Sequence, residues 1–221
     1  MIGQIRPNYI NNLNTYNKIL EQRNNYLKQI NDGNVNYDLL DIWDEKLAAY
    51  ANKICLYRNE FINKIKEKIP NIHNDITNNS EKIEIAYVTD CWNKEKLLEL
   101  IKSRRKLDII KGYTTKGTHR DDFNIYINDN LVNVFGSQGQ HRTAVLSLKV
   151  CELQIIKEET GESPIWLLDD FMSELDSKRR KNFLNKIEDT QVIITCTDKF
   201  AENKENNAVF YVEKGKIEKE Q

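Results

Sequence analysis

Apolar residues recur at helical spacing through the first third of the chain. Tyr9, Leu13, Tyr16, Leu20, Leu27 and Ile30 share one face of a helix. Asn31-Asp32-Gly33-Asn34 breaks the pattern as a turn. Leu40, Trp43, Leu47, Tyr50, Ile54, Tyr57, Phe61, Ile65 and Ile69 then mark a second, longer amphipathic helix, which Pro70 is expected to stop. Two long helices with a tight connection predict an antiparallel hairpin. Its Tyr and Trp residues lie on the apolar stripes and read as core rather than as base-stacking platforms. Ile83, Ile85 and Tyr87 alternate like a short strand, and Asn93 is placed to cap a helix carrying Leu97, Leu100 and Ile101.

The pattern changes near Gly112. Phe123, Ile125 and Ile127 alternate, Asn128-Asp129-Asn130 forms a turn, and Leu131 to Phe135 is expected to run back as a second strand. A helix is predicted from Ser137 to about Gly161, an apolar strand over 165–168, a helix over 177–187, and strands at Val192-Ile193-Ile194 and 209–212. Apolar strands alternating with helices predict an α/β fold with a mostly parallel sheet. The expected organisation is a helical subdomain over 1–110 and an α/β lobe over 111–221.

Charge sharpens this division. Residues 1–120 carry 20 Lys+Arg against 15 Asp+Glu, and residues 121–221 carry 13 against 19. A basic first half favours a polyanion nearby, and an acidic second half favours a cation. Cys55, Cys91, Cys151 and Cys196 form no C-x-x-C pair, and with three His the chain reads as a reduced, zinc-free protein. No apolar run reaches membrane-spanning length, and no signal peptide precedes the first helix, so a cytoplasmic location is expected.

The most informative stretch is Ile165 to Asp176. An apolar strand ends there in Asp169-Asp170, the Walker B arrangement, in which the first acid serves Mg²⁺ and the second orients or activates water. Two acids at a strand end also cap ordinary turns, but Ser173-Glu174-Leu175-Asp176 follows in the manner of the D-loop of ABC-type ATPases. Upstream, Ser137-Gln138-Gly139-Gln140 opens a helix. Ser137 can cap it, Gly139 admits a close neighbour, and the free N–H groups make an anion site. A Ser cap with a glycine turn is common, yet its position before Walker B matches the ABC signature motif. Ile194-Thr195-Cys196-Thr197-Asp198 stands at the end of another buried strand, where hydroxyls either satisfy loop backbone or, at Thr197, sense a phosphate. Gly117-Thr118-His119-Arg120-Asp121-Asp122 reads physically as a polar turn entering a hairpin. Lys102, Arg104, Arg105 and Lys106 offer phosphate contacts or simply a solvated helix face, and Lys178 to Lys181 present the same choice. No G-x-x-x-x-G-K-[ST] loop occurs in these residues.

Taken in order, the motifs resemble the RecF family, bacterial recombination mediators of the SMC-like branch of ABC ATPases. The family's G-P-H-R-D-D corresponds to 117–122, with Thr118 where Pro is usual. Its S-Q-G-Q-x-R-T is intact over 137–143, its L-L-D-D-x-x-S-E-L-D over 167–176, and its Q-V-x-I-T-x-T over 191–197. The runs 16–24 and 42–45 are similar to its helical domain. The resemblance implies the C-terminal part of an ABC-type head, with the Walker A lobe expected upstream of Met1. In the whole protein it implies a head-to-tail homodimer closed around two ATP molecules and opened by hydrolysis. Asp169 would hold Mg²⁺ and Asp170 would be catalytic. Ser137, Gln138, Gly139 and Gln140 would reach the nucleotide of the other copy, Ser173 and Asp176 would line the seam, and Thr197 would be the switch. DNA gaps or junctions are the implied substrate, with RecR and RecO as partners. Without Walker A these residues alone are expected to bind ATP negligibly and to hydrolyse none. Two other readings stay open. One is a non-catalytic scaffold of a repair complex. The other is an ABC transporter subunit, disfavoured by the helical hairpin and the lack of a transporter-type His switch.

Overall fold

The computed structural model describes residues 1–30, 35–169, 176–186, 190–197 and 208–219. A short helix α1 (Ile2–Ile5) leads into α2 (Pro7–Gln29), which Pro7 opens where a missing N–H costs least. Helix α3 (Tyr37–Thr77) runs for 41 residues, and Asn36 caps it by accepting the Leu39 N–H at 3.0 Å. The contacts Tyr26–Trp43, Arg23–Asp44 and Tyr9–Tyr57 ascend one helix as they descend the other. The hairpin is therefore antiparallel, as its periodicity predicts; its turn at 31–34 lies outside the described residues.

Pro70 does not stop α3. A proline inside a helix costs about 3 kcal/mol. Ile69, Ile72 and Ile76 around it are no more than 4% exposed, and burying each contributes roughly 1.5–3 kcal/mol. Packing outweighs the lost backbone bond, and the helix ends instead at Asn78, which adopts the left-handed conformation with φ 55°.

Strand β1 (Ile83–Val88) pairs antiparallel with β2 (Asp122–Ile127), from Ile83 opposite Ile127 to Val88 opposite Asp122. Between them in sequence lies α4 (Lys94–Lys111), capped by Asn93 and ended by Gly112 at φ 68°. The β1–β2 ladder thus crosses the expected boundary at 110/111. Asn128 and Asp129, both at positive φ, make the tight turn into β3 (Asn130–Leu131). Here the strand expected over Leu131–Phe135 is corrected. Pairing stops at Leu131, and Val132–Phe135 forms a single helical turn, α5, closed by the Gly136 N–H on the Val132 carbonyl at 2.9 Å. Val132 is buried while Val134 and Phe135 are 66% and 71% exposed, so a longer strand would gain no further core contact there.

Helix α6 (Gln138–Thr160), strand β4 (Trp166–Asp169), helix α7 (Ser177–Lys186) and strand β5 (Val192–Thr195) follow, then the hairpin β6 (Phe210–Glu213) and β7 (Lys216–Lys219). The fold is α/β, mostly helical with small sheets. Among the described residues its parallel part is the β4–β5 pair, and the other two sheets are antiparallel. Two apolar cores meet along α3. Leu47, Ala51 and Ile54 in its first half pack against Tyr16 and Ile19 of α2 and Leu97 and Ile101 of α4. Ile65, Ile69 and Ile76 in its second half pack with β1, α6, Leu168 of β4 and Phe183 of α7. No described helix is long and apolar enough to cross a membrane.

Candidate functional site

Strands β4 and β5 run parallel and in register, with Asp169 opposite Thr195. Paired residues in a parallel ladder share a face. Leu168 and Ile194 therefore turn toward the core while Asp169 and Thr195 face solvent. The Thr195 hydroxyl donates to Asp169 Oδ1 at 2.5 Å, which fixes the carboxylate at the C-terminal rim of the pair. A carboxylate and a hydroxyl are hard oxygen donors. On an exposed rim they suit Mg²⁺, which takes one or two carboxylates and keeps water or phosphate oxygens for the rest. Thr197, two residues past Thr195, is also exposed. Asp170 and Ser173 lie outside the described residues.

Ser137 caps α6. Its Oγ accepts the Gln140 N–H at 3.2 Å, and Gln140 Oε1 accepts the Ser137 N–H at 3.0 Å. This is the capping box encoded by S-x-x-Q. Ser137 and Gln138 are exposed, and with its oxygen engaged as acceptor the Ser137 hydroxyl proton remains to be donated outward. The two glutamines differ. Gln140 spends its amide on the box and on Glu81, whose Oε1 lies 3.4 Å from Nε2, whereas Gln138 makes no side-chain hydrogen bond among the described residues. Gly139 admits a protein group: a Cβ there would stand 3.3 Å from Arg179 Nη1.

Asp176 Oδ1 accepts the N–H groups of Lys178 and Arg179 at 3.1 and 2.9 Å and so caps α7. Arg179 is the residue that sequence reasoning passed over as one member of a basic run. Its Nη1 donates to Thr143 Oγ1 at 2.9 Å and to the Gly139 carbonyl at 3.3 Å, and its Nη2 donates to Glu81 Oε1 at 3.4 Å. Its Nε lies 3.4 Å from Asp176 Oδ2. Glu81 was missed as well, and Thr195 was read only as one of the strand-end hydroxyls. The available signal for Arg179 was its place one turn after the D-loop acid; a partner 98 residues away, Glu81, gave none.

The Gly117–Asp122 turn is a joint between the two cores. Asp121 Oδ2 accepts from Arg58 Nη1 at 3.0 Å, Tyr87 Oη at 2.6 Å and Thr118 Oγ1 at 2.7 Å. The hydroxyl of Thr118 is thus used at the one position that departs from the family pattern. His119 Nδ1 lies 2.6 Å from Tyr16 Oη and Nε2 lies 3.0 Å from the Thr114 carbonyl. Gly117, at φ 134°, allows this approach, since a Cβ would fall 2.4 Å from Tyr16 Oη. The basic run on α4 divides in the same way. Arg105 donates to Asp44 at 2.7 Å and to Asp41 at 2.6 Å, and Lys102 pairs with Asp41 at 2.9 Å. Arg104 and Lys106 are exposed and hold no ion pair among the described residues.

No family model matches the chain. It is 42% identical over 224 residues to the DNA replication and repair protein RecF of Clostridium perfringens (strain SM101), covering 98% of this chain and 61% of that protein. It is 46% identical over 220 residues to the same-named protein of Clostridium botulinum (strain Kyoto), covering 96% and 60%. A solved structure of the recombination mediator protein RecF-ATP in the RecFOR pathway superposes with TM-score 0.85 at 39% identity, over all of this chain and 60% of that one. A second, RecF-ATPrS, gives 0.83 at 40% identity, over 97% and 59%. The fold and the parallel pair define an α/β protein of the class seen in those nucleotide-bound structures. Within that class, the chain belongs to the RecF family. It spans about 60% of the length of the curated relatives it matches.

Proposed function

We propose that this chain contributes the signature-motif, Walker B and D-loop side of an ATP-gated dimeric DNA clamp that acts in recombinational repair and replication restart. The helices of residues 1–110 form its helical arm and 111–221 its ATPase lobe, with β1 of the first part paired across that boundary to β2 of the second. The single observation that carries this reading is the Asp169–Thr195 pair, an oriented carboxylate at the exposed end of two parallel strands. Asp169 holds Mg²⁺, which supplies charge neutralisation on the phosphates when bound. Asp170 orients the attacking water and Thr197 answers to the phosphate. Ser137, with its outward proton, and Gly139, with the N–H groups of the first α6 turn, face the nucleotide held by a second copy. Gln138 is the neighbouring polar reach, and Gln140 keeps the turn in shape. Ser173 and Asp176 line the seam. The relatives' names support DNA as substrate and the RecFOR pathway supports RecO and RecR as partners; gapped or junction DNA is the form this reading assigns. Arg104 and Lys106 are the members of the α4 run left to touch phosphate.

The test uses the full-length protein that carries these residues. Sedimentation with Mg-ATP should show a nucleotide-dependent dimer that Ser137→Arg abolishes, because a bulky cation then fills the turn meant for the partner's phosphate. A dimer that is indifferent to Ser137→Arg overturns the composite site.

A further inference from the structure

A polar knot fastens the start of α6 to the start of α7 and to the far end of α3. Arg179 sits at its centre, 23% exposed. Its fork reaches the Gly139 carbonyl and the Thr143 hydroxyl, and Thr143 Oγ1 itself donates back to the Gly139 carbonyl at 2.7 Å. Glu81, just before β1, receives both Arg179 Nη2 and Gln140 Nε2 on Oε1, each at 3.4 Å. Its other oxygen, shielded from solvent, lies 3.3 Å from Nε2 of His73, a fully buried residue on α3. His73 Nδ1 meets Ser147 Oγ at 2.9 Å, and Ser147 Oγ donates to the Thr143 carbonyl at 2.8 Å. These contacts run from the first three turns of α6 through Arg179, which also lies 3.4 Å from the α7 cap Asp176, to Glu81, whose approach to His73 is an ion-pair distance and not a hydrogen bond. A guanidinium is the one side chain with donors enough, in fixed directions, to hold two acceptors on one helix and a carboxylate on another segment.

We propose that Arg179 and Glu81 are positioning residues that lock the signature turn to the D-loop acid, so that Ser137–Gly139 and Asp176 move as one body with the foot of the helical arm. This rests on the composite-site reading and adds to it a route by which the arm and the two faces of the dimer seam feel one another. Neither residue touches nucleotide in this scheme. Gly139 has a second role in it, since a Cβ there would stand 3.3 Å from Arg179 Nη1 and would push the guanidinium back by a few tenths of an ångström.

The test again uses the full-length protein, with three readouts: Mg-ATP affinity by calorimetry, the nucleotide concentration needed for half-maximal dimerisation by sedimentation, and the melting temperature. Arg179→Ala should raise that concentration by about tenfold, the equivalent of one charge-assisted hydrogen bond. The calorimetric affinity of the monomer's own pocket should stay unchanged. Arg179→Lys keeps the charge but loses the fork and should rescue little. Glu81→Gln keeps the shared acceptor and should shift the concentration less than Arg179→Ala. Should Arg179→Ala fail to fold, Thr143→Val removes one acceptor at nearly constant volume and should shift dimerisation in the same direction. Dimerisation unchanged in folded Arg179→Ala, or full rescue by lysine, overturns the proposal. Ser137→Arg in the same assay separates the two failures. If it abolishes the dimer while Arg179→Ala does nothing, only the lock is wrong; if neither matters, the composite site falls with it.

Discussion

The α2–α3–α4 lobe and the β4–β5 rim draw on the same kinds of polar residue and use them in opposite ways. In the lobe, Arg23 and Asp44 are fully buried and Asp108 is 1% exposed. Arg23 Nε donates to Asp44 at 2.7 Å, and its Nη1 donates to Asp108 at 2.9 Å and to Thr114 at 2.8 Å. At the rim, Asp169, Thr195 and Thr197 are exposed, and the same strand face leaves Leu167 and Ile193 69% and 53% accessible. Charge in the lobe ties three helices together; charge at the rim stands where a ligand can reach it. Counting charged residues therefore does not locate function. What locates it is whether a group's hydrogen-bonding capacity is already taken up inside the fold, and by that criterion Arg105 and Arg179 leave the set of candidate DNA contacts.

The comparison breaks first, and hardest, at Arg23. Arg23→Ala would leave the buried Asp44 with Arg105 alone and the buried Asp108 with only the Thr115 N–H and hydroxyl, and removing one partner of a buried ion pair costs about 3–5 kcal/mol. Urea denaturation of the 221-residue chain should show a loss of that size. A loss under about 1 kcal/mol would mean that water or rearrangement satisfies Asp44 and Asp108, and the lobe would then be no more tightly built than the rim.

A smaller effect of defined sign comes from His119. Burial holds its imidazole below the usual histidine value of 6.5. The geometry agrees: Nε2–H donates to the Thr114 carbonyl, and Nδ1 accepts from Tyr16, whose hydroxyl burial holds in its protonated form. A second proton on the ring would displace the Tyr16 donor. The unfolded chain thus gains this proton at higher pH than the folded chain, so below about 6.5 the unfolded state binds more protons and stability falls as pH drops. His73, also lowered chiefly by burial, adds the same sign. Denaturation midpoints between pH 7.5 and 5.5 should fall in the wild type and fall less in His119→Gln. An identical slope in the variant would remove His119 from the account.

Much of this was legible in the residues, and what was not has identifiable causes. The hairpin helices follow from their apolar stripes, the capping box from Ser137 and Gln140, and β4 from an apolar run that ends in an acid. Pro70 misled because a local rule met three buried isoleucines that it does not count. The strand over 131–135 misled because its apolar residues outnumber the core places available to them. The buried charges left a trace that was overlooked. Arg23 falls between Leu20 and Leu27, Asp44 between Leu40 and Leu47, and Asp108 seven residues after Ile101, each on its helix's apolar stripe. Charges in such places must pair with one another. Glu81 and Arg179 left no such trace, because their pairing depends on how α3, α6 and α7 come together.

The smallest effect on stability, and the sharpest test of the contrast, is at Thr195. Thr195→Val keeps the shape and strand preference of the residue and removes only the hydroxyl that orients Asp169. On an exposed strand end the change should alter stability by no more than about 0.5 kcal/mol. In the full-length protein, the Mg²⁺ concentration that supports half-maximal ATP hydrolysis should nonetheless rise by about tenfold, since loss of a hydrogen bond behind a metal-holding carboxylate costs about 10–100-fold in affinity. Arg23→Ala should do the reverse, with a large loss of stability and an unchanged Mg²⁺ requirement in whatever fraction stays folded. If Thr195→Val weakens the fold and leaves the metal requirement alone, the rim hydroxyl is structural after all, and the distinction between engaged and available polar groups fails at the site where it matters most.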